Sequence, residues 1–400
     1  MNSFIPYLGF ILLPVAAASG WWFARQGGTQ RSDQRCSTLS TDYFRGLNYL
    51  INQEQDRAID LFTRLVEEEP EMVETHLALG TLFRRQGDTS QAIQLHNNLV
   101  SSGNLTTKQR SHALLELGLD YMKAGLLDRA EEPLQDLLQL GVYQEEAYSQ
   151  LVIIYQQERE WDRAIEMLRK QIDGSGKNRV NVSEKNSPVI AQFICEQAEL
   201  AKDQEDIDEA LKLVKSALNE DPKAVRATIL QAELLLLQGD RAGAIVSYKM
   251  VEEQNSSFIP NIITPLIKIY RQEGDEAEVY SYLNRLLQEY PSTTVLLATV
   301  EQIQLMHGEK VAEQFLIKQL MQRPSVRGLE RLIKLNLAHA QDEKSKQGLL
   351  GLQMLTSQLQ EEKPEYLCGQ CGFQAHNLHW QCPGCKTWDS IKPILGVSGE

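Results

Sequence analysis

Six alanines, Ala58, Ala92, Ala130, Ala164, Ala210 and Ala244, fall 34, 38, 34, 46 and 34 residues apart. Five of them sit in variants of one phrase: QDRAIDLF at 55–62, QGDTSQAI at 86–93, LDRAEEPL at 127–134, WDRAIEML at 161–168 and QGDRAGAI at 238–245. A unit of about 34 residues is one supersecondary element, too small to bury its apolar face alone. Such units are stable only when stacked, so the period commits most of this chain to a repeat array.

Other positions keep the same period. Gly46, Gly80 and Gly118 provide a small residue where a second helix must approach the first. Tyr49, Phe83, Tyr121 and Tyr155 fill the gap between the two helices. Gly87, Gly125, Gly239 and Gly274 mark the turn within a repeat, and Pro70, Pro222, Pro291 and Pro324 mark its end, where a helix has to stop. Period, Ala, Gly, aromatic and Pro together are the pattern of tetratricopeptide repeats. The expected fold is all-α: a superhelical solenoid of about eight repeats over residues 39–326, followed by a degenerate helical pair at 327–363. Two spacings break the period. The extra residues before Ala130 fall near SSGNLTTKQR. Those before Ala210 fall in DGSGKNRVNVSEKNSP, residues 173–188, where polarity, Gly and Pro predict an exposed loop or a hinge.

Ahead of the repeats, residues 1–24 carry no charged side chain. The run FIPYLGFILLPVAAASGWWF is long enough to cross a hydrocarbon core as a helix, with Tyr7, Trp21 and Trp22 placed for the interfaces. Arg25, Arg31 and Arg35 follow it and no Lys or Arg precedes it. A cleaved signal peptide carries its positive charge before the apolar run, so the order here predicts an uncleaved transmembrane helix at 1–24. The positive-inside rule then places the linker at 25–38 and everything after it in the cytoplasm.

Four of the six cysteines form two hooks near the other end, CGQC at 368–371 and CPGC at 382–385. Paired Cys-x-x-Cys turns each offer two thiolates, and two such turns complete a tetrahedron around one ion. Cys368, Cys371, Cys382 and Cys385 are therefore the expected metal ligands, in a ribbon spanning 364–400. Zinc is the expected ion, one per chain, with iron as the alternative for an all-thiolate cage. Four sulfurs leave no open position for water, which argues against a hydrolytic role. His376 and His379 lie between the hooks and are expected to pack or face solvent. Trp380 and Trp388 flank the second hook and exceed what so small a module can bury. The ribbon is thus expected to dock on the array, burying one tryptophan and closing the open end beside residues 327–360. Cys36 and Cys195 have no motif and read as plain thiols.

A formal net charge of −14 makes a nucleic acid an unlikely partner. The sequence has no HExxH, GxxxxGK[ST], GxSxG or strand-borne GxGxxG, so no enzyme constellation is expected. The histidines of the repeats share no cluster.

Three stretches carry a more specific likeness: WWFARQ after the anchor, DYFRGLNYLINQEQDRAIDLF in the first repeat, and YLCGQCGFQAHNLHWQCPGC near the end. Along its whole length the chain resembles the lipopolysaccharide assembly protein B family of bacterial inner-membrane proteins. The resemblance implies a rubredoxin-like ribbon on the four cysteines and an adaptor with no chemistry of its own. It implies work with the membrane AAA+ protease FtsH, turnover of the lipid A pathway deacetylase, and contact with other lipopolysaccharide assembly proteins. Rubredoxin hooks often carry Gly after the second cysteine. Gly372 keeps this, whereas Lys386 departs from it. The competing reading is a general chaperone-docking or envelope assembly scaffold not linked to proteolysis. Against it, positions that would clamp a terminal carboxylate hold Leu77, Leu115, Ile229, Thr81, Leu119 and Glu233.

Overall fold

The structure is a computed structural model that describes residues 41–400 apart from Pro70, Gln341, Glu362 and Ser398. The predicted anchor at 1–24, the linker at 25–38 and Cys36 lie outside the described residues. Among the described residues no helix is long and apolar enough to cross a membrane.

The repeats form antiparallel helix pairs, grouped in two compact units that part between Gln171 and Ile172. The first unit holds α1 (41–51), α2 (Gln55–Glu68), α3 (Val73–Gln86), α4 (Thr89–Ser101), α5 (Thr107–Lys123), α6 (Leu127–Leu140), α7 (Gln144–Glu158) and most of α8 (Trp161–Gly174). The second holds α9 (Arg179–Asp203), α10 (Ile207–Glu220), α11 (Val225–Gln238), α12 (Arg241–Gln254), α13 (Ile259–Glu273) and α14 (Glu276–Glu289). It continues with α15 (Thr293–His307), α16 (Glu309–Gln322), α17 (Val326–His339) and α18 (Glu343–Glu361), then the cysteine ribbon.

The sequence period has a direct structural cause. All six period-setting alanines have no exposed surface. A Cβ added at Gly46 would lie 2.6 Å from the Phe62 ring, and one at Gly118 would lie 2.8 Å from Leu134. Glycine there lets the second helix of each pair press its side chain against the backbone of the first. The turn between the two helices is equally regular. Gly87, Gly125, Gly239 and Gly274 are left-handed, with φ between 74° and 93°. Gln53, Arg159 and Glu205 hold the same position without glycine, at φ 62°, 60° and 64°. Each such residue costs about 1–2 kcal/mol, offset by the packing of the pair. The next residue caps the second helix. Asp88, Asp206, Asp240 and Asp275 accept the backbone N–H of Gln91, Glu209, Gly243 and Glu278, each worth about 1 kcal/mol.

One repeat of the first unit replaces apolar packing with charge. His96 stands where Phe62 and Leu134 stand in the neighbouring repeats, against Gly80. It is fully buried, and its Nδ1 lies 2.6 Å from Asp120 Oδ2, itself fully buried. Arg84 donates to Asp120 Oδ1 at 2.7 Å and to Glu116 Oε2 at 2.6 Å, and the Thr81 hydroxyl donates to Glu116 at 3.0 Å. This network crosses from α3 through α4 to α5.

The predicted loop at 173–188 is a correction. A short 3-10 turn, Gly176–Asn178, leads straight into α9, which runs through Pro188. The stretch is largely exposed, as its polarity implied, but exposed does not mean irregular. Once the apolar part of α9, Ile190 to Ala198, is packed, extending the helix by about three further turns costs little. Polar side chains then form its solvated face.

Candidate metal centre and its docking face

The ribbon is built on three short antiparallel strands, β1 (Tyr366–Cys368), β2 (Gln374–Ala375) and β3 (Ile391–Pro393), in the order β2-β1-β3. Tyr366 pairs with Ala375 on one side and with Pro393 on the other. Strands this short cannot hold themselves, and the buried centre consists of little more than Cys368, Cys382 and Ile391.

The two hooks have one geometry. Gly372 N–H donates to Cys368 O at 3.1 Å and Lys386 N–H donates to Cys382 O at 2.9 Å. Gly372 is left-handed at φ 75° and Lys386 at φ 59°. Lys386 thus departs from glycine in residue type only, and the turn around the second hook is unchanged. Gly384 sits close beside the first hook: a Cβ there would be in ordinary contact, 3.4 Å from Cys371 Sγ.

All four Sγ atoms lie within 4.8 Å of one another, with Cys368–Cys385 at 3.8 Å and Cys371–Cys382 at 3.7 Å. A tetrahedron with metal–sulfur bonds of ~2.3 Å has edges of about 3.8 Å, so the cage already has the size of a bound ion. Among the described residues no other group of His, Cys, Asp or Glu converges in this way. The surroundings favour thiolates. Ser390 Oγ, 3.4 Å from Cys368 Sγ, is the main influence bringing that thiol down to about 6, and Thr387 lowers Cys385. Cys371 has the Phe373 amide pulling it down, yet burial and the neighbouring thiols leave it raised to about 11. A cation is what allows all four to ionise together. The donor set fits zinc or iron, and four protein sulfurs give a closed, structural site.

His376 and His379 are exposed and stand outside the sulfur cluster. Cys195 is buried in α9 and pushed up to about 12, mainly by burial, which makes it inert.

The ribbon lies along the middle of α9 and the starts of α11, α13, α15 and α17. Trp380 stacks on Phe258 with centroids 5.5 Å apart, and Trp388 meets Phe193 edge-on at 5.9 Å. The Arg226 guanidinium lies 5.7 Å from the Trp388 ring and is held there by Glu196 and Glu199. Asn261 donates to the Tyr366 hydroxyl at 3.1 Å. Thr294 donates to the Glu400 carboxylate from its backbone N–H at 2.9 Å and from its hydroxyl, and Arg327 pairs with the same carboxylate. Val326 N–H donates to Val397 O at 2.9 Å. Phe193, Arg226, Asn261, Thr294 and Arg327 therefore supply one contact from each of five successive repeats.

This corrects the expected docking in two respects. Both tryptophans are half-buried rather than one being covered. The open end is not closed, because α18 keeps Leu350, Leu352, Met354, Leu355 and Leu359 exposed. The contact residues on the array escaped the sequence reading. Their one available signal was recurrence at repeat spacing, hidden by their differing chemistry. Trp380→Ala is expected to leave metal content at one equivalent per chain while weakening docking by about 2 kcal/mol. Amide exchange at the start of α13 should speed up, and unchanged exchange there would contradict the docking role.

The comparisons agree with this geometry. A rubredoxin metal binding domain matches residues 366–393, and tetratricopeptide repeats match 45–101, 147–179 and 195–257. Over 391 residues the chain is 35% identical to lipopolysaccharide assembly protein B of Escherichia coli (strain K12), covering 98% of each chain. It is 32% identical over 393 residues to the protein of the same name from Haemophilus influenzae, covering 96% of this chain and 97% of that one.

Proposed function

This chain belongs to the lipopolysaccharide assembly protein B family, and on that premise we propose that it is a membrane-anchored adaptor of lipopolysaccharide assembly. The observation that carries the reading is the match from end to end, which takes in both the repeats and the four-cysteine ribbon. A stack of helix pairs offers a long surface to protein partners and no closed pocket in which to run a reaction.

In this reading the uncharged segment at 1–24 is a single transmembrane helix in the inner membrane, and the repeats and ribbon face the cytoplasm. The adaptor brings the lipid A pathway deacetylase to the membrane AAA+ protease FtsH, promotes its turnover, and so limits lipopolysaccharide synthesis. It also gathers other lipopolysaccharide assembly proteins at the membrane. Cys368, Cys371, Cys382 and Cys385 hold one zinc ion, whose role is to keep the ribbon folded on the array. Anchoring raises the effective concentration of the adaptor near membrane partners.

The test is affinity capture from membranes, with partners identified by mass spectrometry. The intact chain is expected to recover the protease, the deacetylase and assembly proteins, and a variant with all four ligand cysteines changed to serine should lose part of that set. Recovery of none of these by the intact chain would refute the adaptor reading.

A further inference from the structure

The edge covered by the ribbon in the second unit has a counterpart in the first that, among the described residues, nothing covers. Tyr143 precedes the left-handed Arg159 by the same interval as Phe258 precedes Gly274. His112 precedes Gly125 as Arg226 precedes Gly239. In the second unit these registers receive Trp380 and Trp388. In the first unit they line a groove of about 520 Å³ with an apolar floor that includes Leu77 and Leu82.

The groove has its own chemistry. Tyr143 and His112 face each other with ring centroids 5.9 Å apart, which presents two aromatic rings side by side. Tyr143 is left-handed at φ 58°, a conformation that strains a bulky residue. Phe258, its counterpart under the ribbon, is relaxed at φ −94°. Arg85 and Lys108 line the same groove, both exposed, and among the described residues neither has an ion-pair partner. The one carboxylate in the lining, Glu74, already accepts from Gln109 at 3.2 Å. The chain as a whole carries −14, so two uncommitted cations in one groove are a local reversal of sign. Behind the wall, the bonds joining Arg84, Glu116 and Asp120 fix α3 against α5 and keep the groove preformed.

We propose that this groove takes an extended segment of a partner protein in which an aromatic side chain is flanked by carboxylates. The aromatic ring lies against Tyr143 and His112, as Trp380 lies against Phe258, and the carboxylates meet Arg85 and Lys108. The proposal rests on the adaptor reading and specifies which surface and which chemistry it uses.

Panning a random dodecapeptide library on the intact protein tests it. Enriched peptides should share an aromatic residue next to Asp or Glu. A fluorescent copy of the leading peptide should lose about tenfold or more in affinity on Arg85→Glu/Lys108→Glu, a change of ~1.4 kcal/mol. Its Asp→Asn form should lose as much on the unchanged protein. Tyr143→Gly, which removes the ring and the strained φ together, should weaken binding without lowering the melting temperature. Basic or non-aromatic consensus peptides, no enrichment, or equal binding to the charge-reversed protein would each overturn the proposal. So would a change of oligomeric state in that variant, which would make a second copy the occupant. The two readings fail separately. If the charge-reversed protein still captures lipopolysaccharide assembly proteins and no peptide binds, the groove proposal falls and the adaptor stands. If the peptides behave as stated but capture recovers no such protein, the adaptor reading falls alone.

Discussion

Stripping the metal is expected to unfold the ribbon completely while leaving the helices in place. Structural zinc contributes roughly 10–16 kcal/mol to small metal-folded modules, as much as the whole stability of an ordinary domain. Here nothing replaces it, since the strands are two or three residues long and the buried centre is largely the ligands themselves. Loss of the ribbon would release Trp380 from Phe258 and Trp388 from Phe193. Chelation under reducing conditions should therefore shift tryptophan emission to the red and speed amide exchange at the starts of α11, α13, α15 and α17. Far-ultraviolet dichroism should hold, because the repeats carry their own core. Cys371→Ser should reproduce the effect and purify with less than one equivalent of metal. Loss of metal with unchanged emission and exchange would show that the ribbon neither needs the ion nor leans on the array.

Arg84→Ala should destabilise the first unit by about 3–5 kcal/mol, the cost of leaving buried charges without their partner. Asp120 has no exposed surface and Glu116 very little, and Arg84 bridges both. In a unit of this size that is a fall of roughly 10 °C in melting temperature, read by calorimetry, with exchange in α3 and α5 identifying the unit affected. Replacing Arg84, His96, Glu116 and Asp120 together by Met, Leu, Gln and Leu should recover much of the loss, because no charge is then left stranded. The same network gives a pH dependence. Burial would push the Glu116 carboxyl up, but His112, Arg84 and Thr81 hold it at about 2. A depressed folded pKa means stability that is present above the unfolded value, near 4.3, and lost as pH falls toward 2. Acid unfolding of the first unit should begin in that window and move upward in Arg84→Ala. An acid transition that does not move would remove Glu116 from the explanation.

The helix pairs were legible because each rule acts within one repeat. Ala58 and its equivalents, the close approach at Gly46, and the capping Asp after a left-handed residue are all local, and each recurs. The turn shows the limit of that logic. Gly87 announces it, whereas Arg159 and Glu205 adopt the same φ with no glycine to give notice. The polar run at 173–188 misled for a related reason, since a solvated helical face and a loop share a composition when apolar periodicity is missing. His96 counted among histidines that share no cluster, because its partnership with Asp120 joins α4 to α5.

The sequence by itself determined the repeat architecture, the helix pairing and the four-sulfur cage, since period, small residues and Cys spacing are short-range constraints that any fold of the chain has to obey. Only the tertiary structure decided where the ribbon goes. Its seat combines Phe193, Arg226, Asn261, Thr294 and Arg327, five side chains of four kinds, drawn from successive repeats. No local pattern links them. Stacking lines up the middle of α9 with the starts of α11, α13, α15 and α17, and that alignment turns one residue per repeat into a continuous docking edge.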